Sequence, residues 1–341
     1  MLDLMQPTAP FIRDQWYVAA QSHEIDAGPL GRTICGERLV LFRRASGAAA
    51  ALEDICSHRK YPLSRGRVVG EELQCLYHGA RFNHDGVCTG IPGQENVPRG
   101  FDLQRFPLHE AHRVISVWIG DPAKADPALI PDWSLNSAPD WTSLHGRHVF
   151  GANYQLVLDN LLDLTHITFV HKMLRGPGLT ENPLEFEVEG EIVHTRRMMR
   201  DVELPGIFAA MGKTGKVDRW QKQRVEAPSY VYFETGAEPA GSNKPMLDPH
   251  HVVIQGITPE TAGSTHYFWS VARRFALDDQ AVSDAFRRII RDAFDEDAAV
   301  LEAQQRSIEN DRKGRKLGAF VSDAAGLAVR RILAGRLAAT P

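Results

Sequence analysis

Two short segments of the chain, reading C-x-H and C-x₂-H and sixteen residues apart, each carry one cysteine and one histidine. A thiolate and an imidazole from each segment could together hold a [2Fe–2S] cluster in which two histidines replace two cysteines on one iron. Such ligation raises the reduction potential above that of an all-cysteine cluster. On this interpretation Cys56 and Cys75 hold one iron, and His58 and His78 hold the other.

Two cysteines and two histidines also suit a structural zinc ion, which takes four ligands in a tetrahedron. Zinc sites usually group like ligands, as two cysteines followed by two histidines, whereas this chain twice pairs unlike ones. Residues 59–66 are typical of a loop, and Pro62 and Gly79 suit tight turns whose backbone N–H groups face cluster sulfurs. The ligand order therefore favours the iron–sulfur cluster over zinc.

A second group of candidate ligands lies in a stretch with helical periodicity, residues 154–170. Asn160, Asp163 and His166 recur every three positions there, so they share one stripe of the expected helix. His171 follows five residues after His166. In a regular helix this step places His171 about 140° around the helix axis from His166. The two histidines can converge only if the helix ends or bulges between them, and such irregularities are common at functional sites.

A carboxylate that could complete this group lies on a long helix expected from about residue 278 to 311. Asp297 falls on its apolar stripe, whereas Asp295 and Glu296 fall off it. A carboxylate pointing into a core is costly unless it is paired or bound to metal, so we predict Asp297 as a third ligand. The alternative is an ion pair between Asp297 and a cation such as Arg291. The stripe consists of Val282, Phe286, Ile290, Phe294, Leu301 and Ile308.

His166, His171 and Asp297 would form a 2-His-1-carboxylate facial triad, the arrangement of non-haem Fe(II) oxygenases, with open positions for O₂. That chemistry needs electrons delivered singly, and a high-potential [2Fe–2S] centre can supply them. The two candidate sites thus explain one another, and the sequence predicts an oxidoreductase with iron at both.

Composition narrows the remaining classes of function. The chain of 341 residues has a net charge of −4 and is 43% hydrophobic and 24% charged, which is ordinary for a globular protein and gives no basic footprint for nucleic acid. It has no apolar run long enough to span a membrane and no basic segment before an apolar stretch near Met1, so we expect a cytoplasmic protein without a membrane partner. Cys35 and Cys88 lie in strand-like sequence, and we expect both to be buried, reduced and structural.

At about 150 residues per domain, the length suggests two domains. Short strands such as 39–42, 49–52 and 114–119, punctuated by glycine and proline, predict an all-β domain at residues 1–120 that carries both cluster loops. Residues 121–145 have the composition of a connector.

Residues 146–341 have a mixed pattern of helices and strands, unlike the short strands of residues 1–120. The helical stretch at 154–170 is followed by strands between 185 and 269, rich in β-branched and aromatic residues, and by the long helix. A short terminal helix is expected at 322–337, with Ser322 or Asp323 as its N-cap. This is an α+β layout.

With both ligand sets placed, the chain resembles the oxygenase component of the Rieske non-haem iron oxygenases over nearly its whole length. Within that family it is most similar to the short, single-subunit group that includes vanillate and dicamba O-demethylases and toluenesulfonate methyl-monooxygenase. One departure is the Lys60-Tyr61 pair, where relatives commonly carry a small residue before the loop proline. The resemblance rests on QWYVAA at 15–20, both cluster segments, GIPGQE at 90–95, DNLLDLTH at 159–166 with His171, DRWQ at 218–221, TPET at 258–261, and DED at 295–297 with Glu302.

The resemblance implies an all-β Rieske domain followed by an α+β catalytic domain, in which helices cover an antiparallel sheet in a helix-grip-like arrangement. It also implies a homotrimer, in which the cluster of one subunit serves the iron of its neighbour, and a separate NADH-dependent flavin and ferredoxin-type reductase. Besides the metal ligands, Asn160 and Asp163 are expected in the active site. By this resemblance the Asp163 carboxylate would join His78 of one chain to His166 of the next.

The expected reaction uses O₂ to hydroxylate a methyl group of a substituted aromatic acid. The sequence leaves open whether this is O-demethylation or hydroxylation of an aryl methyl group, and which aromatic compound is the substrate. Ring cis-dihydroxylation is a second enzymatic alternative, and a Rieske electron-transfer protein is an alternative of another class. The expected substrate contacts are Phe208, Met211, Gln255 and Ile290, with His251, Val253, Gln255 and Ile257 on one face of a strand.

Overall fold

The computed structural model describes residues 10–174, 176, 178–203, 214–242 and 251–339. Its chain folds into two units, one made of Phe11–Trp133 with Thr258–Thr261, and the other of Ser134–Ile257 with Ala262–Pro341. The predicted substrate contacts Phe208 and Met211 lie outside the described residues. No described helix is long and apolar enough to cross a membrane.

The first unit contains ten strands among its described residues. They are β1 (Gln15–Gln21), β2 (Leu30–Ile34), β3 (Glu37–Arg43), β4 (Ala49–Glu53), β5 (Arg67–Val69), β6 (Glu72–Gln74), β7 (Arg81–Phe82), β8 (Cys88–Gly90), β9 (Leu108–Ala111) and β10 (Val114–Ile119).

These strands form three small antiparallel sheets, in the orders β1-β10-β9, β2-β3-β4 and β5-β6-β7-β8. The predicted strands at 39–42, 49–52 and 114–119 are confirmed as parts of β3, β4 and β10. The unit has two hydrophobic cores. One lies around Tyr17, Leu39 and Ile115, and the other lies around Phe42, Leu73 and Phe82 and also contains Cys56 and Cys75. The N-terminal all-β prediction is therefore confirmed.

Residues 121–145, predicted as a connector, span the boundary between the two units. Residues up to Trp133 belong to the first unit, where Trp118 Nε1 donates to the carbonyl oxygen of Asp121 and Trp16 Nε1 to that of Asp126, both at 2.8 Å. From Ser134 onward the chain belongs to the second unit. The stretch 121–145 is thus divided between the two units. The indole hydrogen bonds hold its first half in the first unit.

The second unit is built on one seven-stranded antiparallel sheet in the order β11-β17-β16-β15-β14-β13-β12. Its strands are β11 (Thr142–Phe150), β12 (Glu185–Glu189), β13 (Ile192–Val202), β14 (Val217–Glu226), β15 (Tyr230–Pro239), β16 (His251–Thr261) and β17 (Ser264–Arg273), and its described α-helices are α1 (Tyr154–Leu162), α2 (Gln280–Glu309) and α3 (Ala324–Ala339).

Helix α2 covers one face of this sheet. Phe286, Ile289 and Ile290 pack in a single apolar cluster with Leu144 of β11 and Val217 of β14, and the cluster continues to other strands. Asp279 caps the helix by accepting a hydrogen bond from Val282 N at 3.1 Å. The α+β prediction and the long helix are confirmed.

Two helix boundaries differ from the sequence prediction. The stretch expected as one helix from 154 to 170 is α1, which ends at Leu162, followed by a 3₁₀ turn at Leu164–Thr168. Asp163 breaks the helix with non-helical φ and ψ of −109° and 87°, and its carboxylate accepts from Thr165 N at 3.0 Å to cap the turn. The terminal helix begins at Ala324, after a 3₁₀ turn at Val321–Asp323.

Candidate metal centres and the sheet beside them

The two cluster segments place their four candidate ligands as two pairs. The Cys56 and Cys75 side chains are buried, and the His58 and His78 side chains are exposed. The two imidazole rings lie 4.6 Å apart, edge to face. Two inner thiols and two outer imidazoles are the donor set for a [2Fe–2S] cluster with different ligands on its two irons, so these residues fit that group.

The two loops have the same backbone hydrogen bonds. In the first loop Lys60 N donates to Cys56 O at 2.9 Å, and in the second Gly79 N donates to Cys75 O at 3.0 Å. Lys60 and Gly79 both have positive φ, of 59° and 80°. Lys60, which belongs to the Lys60-Tyr61 pair noted in the sequence, thus takes a left-handed conformation that favours glycine.

The other two cysteines are buried free thiols, as predicted. Burial raises the pKa of Cys35 to about 12 and also raises the pKa of Cys88. Cys35 does not lie in a strand, however. With Gly36 it forms the two-residue turn between β2 and β3, where both residues have positive φ.

In the second unit the structure brings together His166, His171 and Asp297. One ligand atom from each lies within 4.8 Å of the others, and Nε2 of each histidine lies 3.5 Å from Asp297 Oδ1. Asp297 is buried in α2, as its position on the apolar stripe predicted. Two imidazoles and one carboxylate at this spacing could hold a metal ion on one side.

Two acceptors orient the imidazoles. His166 Nδ1 donates to the carbonyl oxygen of Asp163 at 2.7 Å, and His171 Nδ1 donates to Glu296 Oε2 at 3.1 Å. Since an oxygen of this kind only accepts, each Nδ1 carries the proton and each Nε2 presents a lone pair to the site. The role of Glu296 was not predicted, because this residue lies off the apolar stripe. From that position its carboxylate reaches His171 beside the site.

The electrostatics of this group favour a bound cation. Burial lowers the pKa of His166, against the influence of Asp297, so its imidazole is held neutral. Burial raises the pKa of Asp297, and the two histidines oppose that rise. Asn160 Nδ2 donates to Asp297 Oδ1 at 3.2 Å and helps to fix the carboxylate. A buried carboxylate beside two imidazole nitrogens is costly without a cation, so this donor set fits an iron ion.

The alternative for Asp297 was an ion pair with Arg291, but Arg291 instead contacts Asp292 at 3.2 Å. Asp295 lies at the surface, 3.9 Å from His148 Nδ1. Neither contact involves the three grouped side chains.

The predicted substrate contacts divide into two environments. Ile290 packs in the apolar cluster between α2 and the sheet. Gln255 is buried in β16, and its Oε1 has no hydrogen-bond partner in the described part of the chain. Val253 of the same strand packs in the cluster with α2, so the predicted face of this strand points towards the helix.

A further set of buried polar side chains on this face was missed. Arg197 of β13 and Gln221 of β14 lie directly opposite each other and are both buried. The signal was present in the sequence, since alternation along β13 groups Val193, Thr195, Arg197 and Met199 on one face.

Comparison with known proteins agrees with this arrangement. Residues 15–107 match the Rieske [2Fe-2S] domain, and residues 150–339 match the vanillate O-demethylase oxygenase C-terminal domain. The chain is 39% identical to the putative toluene-4-sulfonate monooxygenase system iron-sulfur subunit of Comamonas testosteroni, over 86% of this chain and 88% of that protein. It is 37% identical to the vanillate O-demethylase oxygenase subunit of a Pseudomonas species, over 96% of each.

Solved structures of dicamba monooxygenase have the same fold. One, bound to dicamba, has a TM-score of 0.92 and 32% identity, and the match covers 98% of this chain and 100% of that one. Another, with non-haem iron and dicamba, has a TM-score of 0.84 and 31% identity over 96% and 98% of the chains. With both donor sets present and both domains matched, the chain belongs to the Rieske non-haem iron oxygenases and is the oxygenase component of a monooxygenase with a [2Fe–2S] cluster and a mononuclear iron.

Proposed function

We propose that this protein hydroxylates a methyl group of a substituted aromatic acid. The observation that carries the proposal is the His166, His171 and Asp297 group, in a chain that also has a Rieske domain. Hydroxylation of an O-methyl carbon gives a hemiacetal that collapses to a phenol and formaldehyde. Hydroxylation of an aryl methyl group gives a benzyl alcohol. A relative named for O-demethylation supports a methyl group as the target, and a relative named for toluene-4-sulfonate supports an aromatic acid that carries one.

In this proposal His166, His171 and Asp297 hold the mononuclear iron, which when bound supplies O₂ activation with electrons from the cluster. Cys56, His58, Cys75 and His78 hold that cluster. The protein's own contribution is positional. Asp163 and Glu296 keep both iron-site imidazoles in the tautomer that presents Nε2, and Asn160 restrains the carboxylate by its hydrogen bond.

Electrons come from a separate NADH-dependent reductase, and the subunits assemble as a homotrimer in which a cluster serves the iron of the next subunit. The exposure of His58 and His78, and of Leu76 and Tyr77 beside them at 53% and 58%, supports a docking surface around the cluster. The Asp163 carboxylate accepts from Thr165 N and Oγ1 within its own chain, and His166 contacts the Asp163 backbone rather than its carboxylate. The predicted bridge to His78 of another subunit stays a prediction.

A product screen tests the function. The protein, a surrogate reductase and NADH are supplied with methoxybenzoates, aryl methyl acids and N-methyl compounds, and formaldehyde is measured against substrate consumed. Formaldehyde in equal amount to a phenol establishes O-demethylation, and a benzyl alcohol without formaldehyde establishes aryl methyl hydroxylation. A ring cis-diol with the methyl group retained contradicts the proposal and favours dihydroxylation.

Metal content separates the enzyme from a simple electron-transfer protein. The oxygenase should hold about three irons per chain, and a Rieske protein without the mononuclear site about two. Substitution of His166 or Asp297 by alanine should remove the iron of the second unit and leave the visible spectrum of the cluster intact.

A further inference from the structure

The sheet face that packs against α2 carries a row of buried polar side chains. In strand register Arg197 lies opposite Gln221, Gln221 opposite Thr235, and Thr235 opposite His251. These four side chains are between 2% and 6% exposed. His251 packs edge to face on Phe286 of α2, with ring centroids 5.6 Å apart, which places the row on the helix-covered face.

Two members of this row have unsatisfied polar atoms. Nε and Nη1 of Arg197, and both amide atoms of Gln221, have no hydrogen-bond partner in the described parts of the chain. Buried polar groups in proteins are nearly always hydrogen-bonded, and a buried guanidinium without a partner costs several kcal/mol. Two adjacent side chains in this state point to a group that binds between them.

The charge around the row is positive. Arg219, two residues from Gln221 on the same strand, is also buried, and burial together with the charge of Arg197 lowers its pKa to about 10. Burial also lowers the pKa of Arg197, and the Asp163 carboxylate opposes that shift. That carboxylate already accepts two hydrogen bonds from Thr165. A second buried arginine close to Arg197 thus adds positive charge beside the two unsatisfied side chains, a setting that favours an anion.

The row lies beside the candidate iron site. Met199 is opposite Arg219 in register, and Met199 packs with Leu164 and Ile167. Those two residues belong to the 3₁₀ turn that carries His166. An anion bound by the arginines would therefore lie under the segment that supplies the first histidine of the metal group.

We propose that Arg197, together with Gln221 and Arg219, binds the oxyanion of the substrate, a carboxylate or sulfonate on the aromatic ring, and so directs the methyl group towards the metal site. This inference rests on the proposed function and assigns the residues that select its acidic substrates. A guanidinium offers paired N–H donors that match two oxygens of such a group, and the Gln221 amide adds a further donor. The oxyanion supplies the acceptors that Arg197 lacks.

Binding tests this without turnover. Wild-type holoprotein is titrated by calorimetry with two pairs of compounds, 4-methoxybenzoate against 4-methoxybenzamide and 4-toluenesulfonate against 4-toluenesulfonamide. We expect at least one acid to bind about 10- to 100-fold more tightly than its amide, as a charge-assisted hydrogen-bonded pair provides. Equal binding of acid and amide in both pairs would overturn the proposal.

Variants then assign the effect to the arginine. Arg197→Gln should weaken binding of the preferred acid about 10- to 100-fold and leave binding of its amide within about twofold. The matched control is Arg196→Gln, the neighbouring residue on the opposite face, whose side chain is 68% exposed and pairs with Glu185. Unchanged acid binding in Arg197→Gln, or an equal loss in Arg196→Gln, would contradict the assignment.

Thermal unfolding of the Arg197→Met variant provides a second test. Because it removes a buried guanidinium with two nitrogens that lack acceptors, it should raise the melting temperature of ligand-free protein, and the preferred acid should stabilise the wild type but not this variant. A lower melting temperature in Arg197→Met, or equal stabilisation of both by the acid, would argue against the site. If the acid binds as expected but no methyl group is oxidised, the proposed function fails while the anion site stands.

Discussion

The hydrogen bond between Glu296 and His171 allows an experimental test of how the His171 imidazole is oriented for metal binding. Glu296 Oε2 accepts from His171 Nδ1 at 3.1 Å and from Lys172 N at 3.3 Å. Glu296→Ala removes the acceptor that selects the Nε2-presenting tautomer. The His171 ring would then lose the hydrogen bond that fixes its orientation, and we expect weaker binding of the mononuclear iron.

The size of the effect follows from the surroundings. Loss of such an outer partner typically lowers metal affinity about 10- to 100-fold, which is about 1.4 to 2.7 kcal/mol. The His171 side chain is 4% exposed, but that of Glu296 is 21% exposed, so water can enter the space that alanine leaves. We therefore expect the lower end, about tenfold. Glu296→Gln keeps an acceptor oxygen and should lose less.

The assay is titration of protein depleted of mononuclear iron with Fe(II) against a competing chelator, with cluster absorbance as an internal control. Asp295→Ala is the matched control, since Asp295 is the preceding carboxylate and its side chain is 59% exposed. The reasoning about the tautomer is refuted if Glu296→Ala binds iron as the wild type does. An equal loss in Asp295→Ala would attribute the effect to net charge instead.

Three further outcomes are expected. His58→Cys should keep a [2Fe–2S] cluster but lower its potential in a redox titration, because a thiolate replaces a neutral imidazole, and an unchanged potential would exclude His58 as a ligand. Gly79→Ala should destabilise the cluster loop by about 1–2 kcal/mol or more in denaturant titrations, because φ is 80° and a Cβ would lie 2.8 Å from Pro92 Cγ. Lys60→Gly should be neutral or stabilising, since glycine adopts a positive φ without strain, and equal effects of the two substitutions would contradict this explanation. Asp163→Asn keeps an acceptor for the turn, so it should retain both metals while slowing electron transfer to the iron in single-turnover experiments, and wild-type transfer rates would remove the carboxylate from that step.

The ligand sets could be found from the sequence because each depends on local geometry. A cluster loop closes within a few residues, as the Lys60 and Gly79 hydrogen bonds to the preceding cysteines show, so the spacing of cysteine and histidine carries the information. Asp297 could be found because a helix repeats every 3.6 residues, and its place on an apolar stripe marks it as buried. The two-part fold followed similarly from the change of periodicity along the chain.

The tertiary structure alone decided which distant groups meet. Glu296 and His171 are 125 residues apart, and nothing in either local pattern pairs them. Asp163 fits a helix stripe by spacing, yet its carboxylate caps the next turn, because a short side chain competes with the helix for backbone N–H groups. The row that joins Arg197 to Gln221 exists only through strand register. Alternation reveals which face a strand residue occupies, but only the pairing of strands determines its neighbours, since that pairing is set by packing across the whole sheet.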